Sequence, residues 1–524
     1  MKFSPARLGS RRQLVLPGLC LALLAGTTAN MSATQADATP WVSCPPDSGV
    51  TADSQARCAV LEVPLDYADP GARTIEVTVS RVPARDPAHR LGVLFGNPGG
   101  PGGSALDFWD RRIGALPPMI ADRYDLIAVQ PRGLRWSTPL ACAGEAEGAT
   151  DPSCAAVPTD LARHITTAAT ARDMDQVRKM LGEQRIDFYG ASYGTYLGAV
   201  YATLFPEHSG KFVLDSNVHP GWIWNEEFAQ QQEARETRLG DLFSWIAEND
   251  AIYHLGSTRQ AVYEQWAAQV AAEGSPVLAN LAPETQGLTE QAQRHLAPVI
   301  GPDAATWTAE QLAFLRNMTR VLPRAVRPDP VNRTFTATSI ALYARKLWPD
   351  LASALQRVRA NAADVEALDR MAGRSTDGDP SSPFVFTAIT CGEDGHLGDP
   401  VQLLAGLGRM VTGASFFDVG KAMVRSGLHC AGVEKPADPP VRIDGSALAI
   451  KPLVLQSDHD PATAAAGGPA MAEALGGTLI RVGGGDHGLF GRGDARLDAA
   501  VVRYLETGTV EMTSADQAPI PARR

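Results

Sequence analysis

Apolar residues follow two different rhythms along this chain. Between Cys58 and Ala84 the run CAVLEVPLDYADPGARTIEVTVSRVPA alternates on either side of Asp69-Pro70-Gly71, which predicts a β-hairpin. Short, almost wholly apolar runs follow at Leu91–Gly96, Tyr124–Gly133, Ile186–Tyr189 and Lys211–Pro220. Runs of that length, bounded by turn residues, predict strands buried on both faces. Between them lie stretches of helical period, TTAATARDMDQVRKMLG (Thr166–Gly182) and the segment after Gly194. Strand alternating with helix over Leu91–Pro220 predicts a mostly parallel sheet with helices on both faces.

After Pro220 the period changes. Asn225–Asp250, Gln260–Gly274, Thr308–Leu322 and Ser353–Met371 each place apolar residues at helical spacing, with breaks such as GRSTDGDPSSP between them. The strand pattern returns at Lys451–Thr463 and Gly476–Phe490, and Asp494–Gly508 reads as a closing helix. The expected organisation is therefore an α/β domain in two parts, residues 37–220 and 445–524, interrupted by a mainly helical cap at 221–444. The tryptophans of the helical part, Trp222, Trp224, Trp245, Trp266 and Trp348, are expected to pack rather than to form a ligand cage.

Composition narrows the function. A formal net charge of −11 without a Lys/Arg run beyond the first dozen residues excludes nucleic acid as the main partner. Residues 1–36 read as an export signal. Lys2, Arg7, Arg11 and Arg12 precede an apolar run, Leu14–Ala25, too short for a comfortable membrane span, and small residues lead to a cleavage point after Ala36. The protein is accordingly expected to be secreted or periplasmic, with no stable membrane span after cleavage. Outside the signal, six cysteines remain, an even number that suits disulfides in an exported chain. Neighbour pairing gives Cys44–Cys58, Cys142–Cys154 and Cys391–Cys430. No C-x-x-C pair or histidine cluster points to a metal, and no cofactor is expected.

The chemistry gathers around Gly190-Ala191-Ser192-Tyr193-Gly194, set between a strand-like and a helix-like run. This is the pattern of a nucleophile elbow, in which side chains two residues either side of the serine would collide with strand or helix. Ser192 would sit strained and exposed at a helix N-terminus. Asn97–Ala105, NPGGPGGSA, follows a buried strand and lets backbone N–H groups approach a ligand. In an α/β-hydrolase such a loop supplies one oxyanion donor and the residue after the nucleophile supplies the other. Those are Gly100, with Gly99 as the alternative, and Tyr193. The competing reading is a structural turn. A phosphate-binding loop lacks its Lys-Ser/Thr ending. Downstream, Asp460 closes a strand ahead of Pro461, and His487 stands in a Gly-rich loop after a later strand. Ser…Asp…His is the triad order of α/β-hydrolases. A weak hydroxyl nucleophile needs a base that titrates near working pH, and the base needs a carboxylate to orient it. Asp458 could replace Asp460, Asp486 is expected to be structural, and Thr463 is expected to brace the acid loop.

NPGGPGGS, ARDMDQVRKMLG, GASYGTYLGAVYATLFPEH, VLDSNVHP, DHDPAT and GGGDHGLF together resemble the secreted tripeptidyl aminopeptidases of the prolyl-aminopeptidase-like serine peptidases, family S33. The likeness runs from about Trp41 to the C-terminal region, dense at the catalytic core and thin through the cap. It implies an exported serine exopeptidase that releases short peptides from free N-termini through an acyl-enzyme on Ser192. Its triad maps onto Ser192, Asp460 and His487 and its oxyanion loop onto Pro98–Gly102. Pro98 stands where relatives acting on single prolines carry His, which favours the tripeptidyl branch. Gln130, Arg135 and Trp136 depart from the D-P-R-G-x-G-x-S pattern. An aminopeptidase must hold an ammonium, so a carboxylate is expected near the site. Glu226, Glu227, Glu393 and Asp394 are candidates, with Glu393 and Asp394, beside Cys391, preferred. The alternative is a carboxylesterase or other α/β-hydrolase using the same triad, since fold and triad do not fix the substrate.

Overall fold

The computed structural model describes residues 40–140, 160–273, 291–309, 332–373 and, with short gaps before residue 439, 379–520, besides isolated positions between. Among the described residues nine strands form one sheet: β1 (Arg57–Pro64), β2 (Thr74–Val82), β3 (Gly92–Asn97), β4 (Tyr124–Val129), β5 (Ile186–Ser192), β6 (Ser209–Asn217), β7 (Leu453–Ser457), β8 (Thr478–Val482) and β9 (Ser514–Ala515). Their spatial order is β1-β2-β4-β3-β5-β6-β7-β8-β9. The hairpin predicted around Asp69-Pro70-Gly71 is the antiparallel β1–β2 pair, and β2 joins β4 antiparallel. From β4 onward every neighbour is parallel. The two-residue edge strand β9 carries no apolar run, so no pattern announces it.

The apolar runs are strands because both sheet faces are covered. Phe95, Ile127, Phe188, Phe212 and Val454 pack on one side. There they meet α1 (Thr167–Met180) and α2 (Tyr193–Leu204). Leu94, Leu126, Tyr189, Val213 and Leu455 pack on the other side, against Phe108, Trp109 and the helix Ala495–Thr507. Each strand sends alternate residues to opposite cores, so no polar face interrupts the run. A buried ion pair ties the hairpin to this layer. Arg132, with no exposed side chain, meets Asp173 of α1 at 2.6 Å and donates to the carbonyls of Pro64, Leu65 and His164.

Between β6 and β7 the named elements are all helical. The longest is α3 (Asn225–Glu248), followed by α4 (Arg259–Ala272), α5 (Arg333–Leu342), α6 (Trp348–Ala360), α7 (Ser382–Gly392) and α8 (Phe416–Arg425). They hold a separate apolar cluster of Leu242, Phe243, Trp266, Trp348 and Leu355. The single period read over Ser353–Met371 is two helices. Asn361 turns extended after α6, and its side chain caps Ala363 N, so an Asx turn breaks the helix where the apolar spacing continues. Most of the helix expected over Thr308–Leu322 lies outside the described residues. Among those residues no helix is long and apolar enough to cross a membrane. Cys44–Cys58 and Cys391–Cys430 are disulfides; Cys142 and Cys154 lie outside the described residues.

Candidate active site

β5 ends at Ser192 and α2 starts at the next residue. The turn is sharp enough to put Ser192 at φ 58°, ψ −131°, a conformation costing a non-glycine residue about 1–3 kcal/mol. The glycines of the elbow are required by contact. A Cβ on Gly194 would stand 2.7 Å from the Asn97 carbonyl oxygen, and one on Gly190 would overlap Gly194. The Ser192 carbonyl accepts from Thr195 Oγ1, which in turn accepts from Val218 N beyond β6. The elbow is thus fastened to the adjacent strand.

The glycine loop after β3 lies directly on the elbow. Gly99 has φ +99°, and a Cβ there would meet Ser192 Cβ at 2.8 Å and Tyr193 N at 3.1 Å. Gly99 N–H donates to Asn97 Oδ1 at 2.9 Å. That commitment leaves Gly100 as the next N–H along the loop. Tyr193 N opens α2, where an amide has no partner within its own helix. The far end of the loop is tied by Gln130. Its side-chain oxygen accepts from Ala105 N at 2.8 Å and its nitrogen donates to Arg135 O at 2.9 Å. An aspartate could not make the second bond, which accounts physically for the amide at this atypical position. Arg135 stacks over Trp136 and donates its N–H to Asp379 at 2.7 Å, so these residues join the loop to the helical segment.

Asp460 has no exposed surface. Its Oδ1 accepts from Ala462 N and Thr463 N, and its two oxygens lie 2.9 and 3.0 Å from His487 Nδ1. Burial opposes ionisation of this carboxyl, yet the imidazole of His487 and the two amides hold it below the usual carboxylate range. Thr463 acts in this loop through its backbone N–H; its hydroxyl oxygen is buried without a hydrogen-bond partner among the described residues. Asp458 instead pairs with Arg481 at the surface. Asp486 accepts from Arg238 and from Arg345 N. With Nδ1 on Asp460, His487 keeps Nε2 for other work.

The His487 loop is anchored on β6, the strand that pairs with β5. Gly488 N donates to Ser216 Oγ, and Leu489 N and Phe490 N donate to the buried Asp215 carboxylate. β6 pairs with β5 so that Asn217 stands opposite Ser192. Asp215 and Ser216 read in the sequence only as part of a strand. Their role depends on a loop some 270 residues later, a contact that no local pattern carries.

The four acidic candidates have separate fates. Glu226 pairs with Arg425 at 2.6 Å. Glu393 lies buried beneath the elbow, and its oxygens accept from Thr167 N, Thr167 Oγ1 and Trp224 Nε1. Burial pushes its carboxyl up to about 7. Asp394 accepts from Asn225 N at 3.0 Å. Glu227, in the first turn of α3, accepts from His219 N through Oε2, while Oε1 is buried without a hydrogen-bond partner among the described residues. Burial foremost, and also the charge of Asp460, push Glu227 up to about 8. Glu227 is thus the candidate lying beside the acid loop, where the charge of Asp460 and the N–H of Ala464 act on its carboxyl, whereas the hydrogen-bonded oxygens of the preferred Glu393 and Asp394 serve the fold. The Cys391, His429 and Cys430 side chains also lie together, but both sulfurs are in the disulfide and are not thiolate ligands.

A family model described as TAP-like protein matches residues 414–517, which include Asp460 and His487. The chain is 29% identical over 510 residues to a tripeptidyl aminopeptidase of Streptomyces lividans, covering 91% of this chain and 86% of that one. A tripeptidyl aminopeptidase of Streptomyces coelicolor is 39% identical over 255 residues, 43% of this chain and 47% of its own length. Carboxylesterase B of Mycobacterium tuberculosis is 30% identical over 556 aligned positions, covering 97% of this chain and 96% of that protein.

Proposed function

This chain belongs to the tripeptidyl-aminopeptidase-like family of serine α/β-hydrolases, and from that membership we propose that it is an exported exopeptidase cutting short peptides from free N-termini. In this reading Ser192 Oγ attacks the peptide carbonyl carbon while His487 Nε2 takes the hydroxyl proton. The C–N bond then breaks, the proton leaves with the amine, and water hydrolyses the resulting ester by the same base. Asp460 holds the imidazole by Nδ1. The N–H groups of Tyr193 and Gly100 receive the oxyanion. The observation that supports this reading is the Asp460–His487 contact, on a loop anchored to β6, the strand next to the one that ends at the strained Ser192.

Glu227 is our choice for the substrate ammonium. A carboxyl this buried is neutral until a cation arrives, and a peptide's ammonium can take the place of its proton. We read residues 221–444 as a cap that limits access to chain ends, and 37–220 with 445–524 as the catalytic domain. Residues 1–36 remain our proposed export signal. Two disulfides support an oxidising destination. The likeness to carboxylesterase B favours a second reading, an esterase on the same triad.

The test is chromophore release from a tripeptide anilide with a free amine, from its acetylated twin, and from a simple aryl ester. The expected result is cleavage of the free amide, lost in Ser192→Ala, with KM raised about tenfold or more in Glu227→Gln. Equal cleavage of the acetylated amide would remove the amine site. Turnover of the ester alone would favour the esterase.

A further inference from the structure

We propose that Tyr343, at the end of α5 in the helical segment, is a positioning residue for His487. The inference rests on the reading of His487 as the base for Ser192. Two contacts join this turn to the histidine loop directly, and a third reaches it through Arg238 of α3. Leu342 O accepts from Arg238 Nε at 3.3 Å, Tyr343 O accepts from His487 N at 2.9 Å, and Arg345 N donates to Asp486 Oδ1 at 2.7 Å. Arg238 closes the circuit. It is 1% exposed, meets Asp486 at 2.8 Å and stacks over Trp348 at 4.5 Å.

The Tyr343 ring stands edge-on to the imidazole, with centroids 5.2 Å apart and planes at 87°. Both Asp460 oxygens meet His487 at Nδ1, but contacts at one ring atom leave the tilt of the imidazole plane to be set elsewhere. A ring packed perpendicular to the imidazole removes that freedom. The backbone bond to Tyr343 sets the height of the loop. His487 is thus held by the sheet on one side, through Ser216 and Asp215, and by the helical segment on the other. The helical segment does more than cover the site: it completes the seat of the base.

Labelling of Ser192 by a fluorophosphonate measures base-assisted nucleophilicity without any peptide. In Tyr343→Leu we expect the labelling rate and anilide kcat to fall together by about ten- to a hundredfold, with KM moved less than about twofold. Tyr343→Phe, which keeps the ring, should restore both. Wild-type labelling in folded Tyr343→Leu, or a change in KM alone, would overturn the proposal. Should Tyr343→Leu not fold, Asp486→Ala gives the same readout, since it removes the oxygen that accepts from Arg238 and from Arg345 N and so frees the loop from this turn; unchanged labelling there would also overturn it. Undiminished labelling in His487→Ala would instead overturn the assignment of the base, a separate result.

Discussion

Ser192 keeps a positive φ among glycines that tolerate no side chain, Gly99 among them with a positive φ of its own. The glycine combines φ +99° with a would-be Cβ 2.6 Å from the Ala191 carbonyl oxygen. Both the backbone strain and the contact penalise any side chain there. Gly99→Ala is expected to lose about 1–3 kcal/mol of stability and about a hundredfold or more in kcat, because the loop must lift away from Tyr193 N. Urea unfolding and steady-state anilide hydrolysis check the two halves. At this scale much was legible. The elbow glycines, Ser192, Asp460 and His487 stand out because tight turns restrict residue type locally. Asp460, which Pro461 sets apart in the sequence, is the one that meets His487, while Asp458 meets Arg481. The hydrogen bonds of the four carboxylates were not legible, since distant donors such as Thr167 and Trp224 make them.

Among elements, the hairpin, α1 and the loop after β4 share one buried pair. Arg132 meets Asp173 at both oxygens, and Tyr67 donates to Asp173 Oδ1 at 2.7 Å. Asp173→Ala would strand a guanidinium in a dry core. The expected cost is about 3–5 kcal/mol, seen as a lowered urea midpoint with the slope unchanged. Arg132 was read in the sequence only as part of a turn motif, and Asp173 as one position of a helical period. Element type and order came through because strands buried on both faces are apolar throughout, and helices repeat every three to four residues. Where those signals lapse, the reading lapses too. The Asx turn at Asn361 splits an unbroken apolar period, and β9 is a strand by pairing alone.

For the whole molecule, buried acids couple folding to pH. Glu393 holds its proton to about 7 in the fold, against an ordinary value of 4.5. A raised carboxyl favours the native state fully below the unfolded value, and that contribution is lost as pH rises through the folded one. The Tm of the wild type should therefore fall relative to Glu393→Gln between about pH 5 and 8, whatever offset the substitution adds. Calorimetry across that window, showing parallel curves, would contradict it. The sequence by itself determined the alternation of strand and helix, the order of Ser192, Asp460 and His487, and the chemistry they can perform, because period, turn sterics and side-chain type are local properties. Only the tertiary structure decided which carboxylate lies beside the acid loop, that Asp215 and Ser216 hold the histidine loop, and that Tyr343 meets His487. Those depend on burial and on contacts between residues far apart in the chain, where hydrogen-bond partners are chosen by the packed fold and leave no pattern in either segment alone.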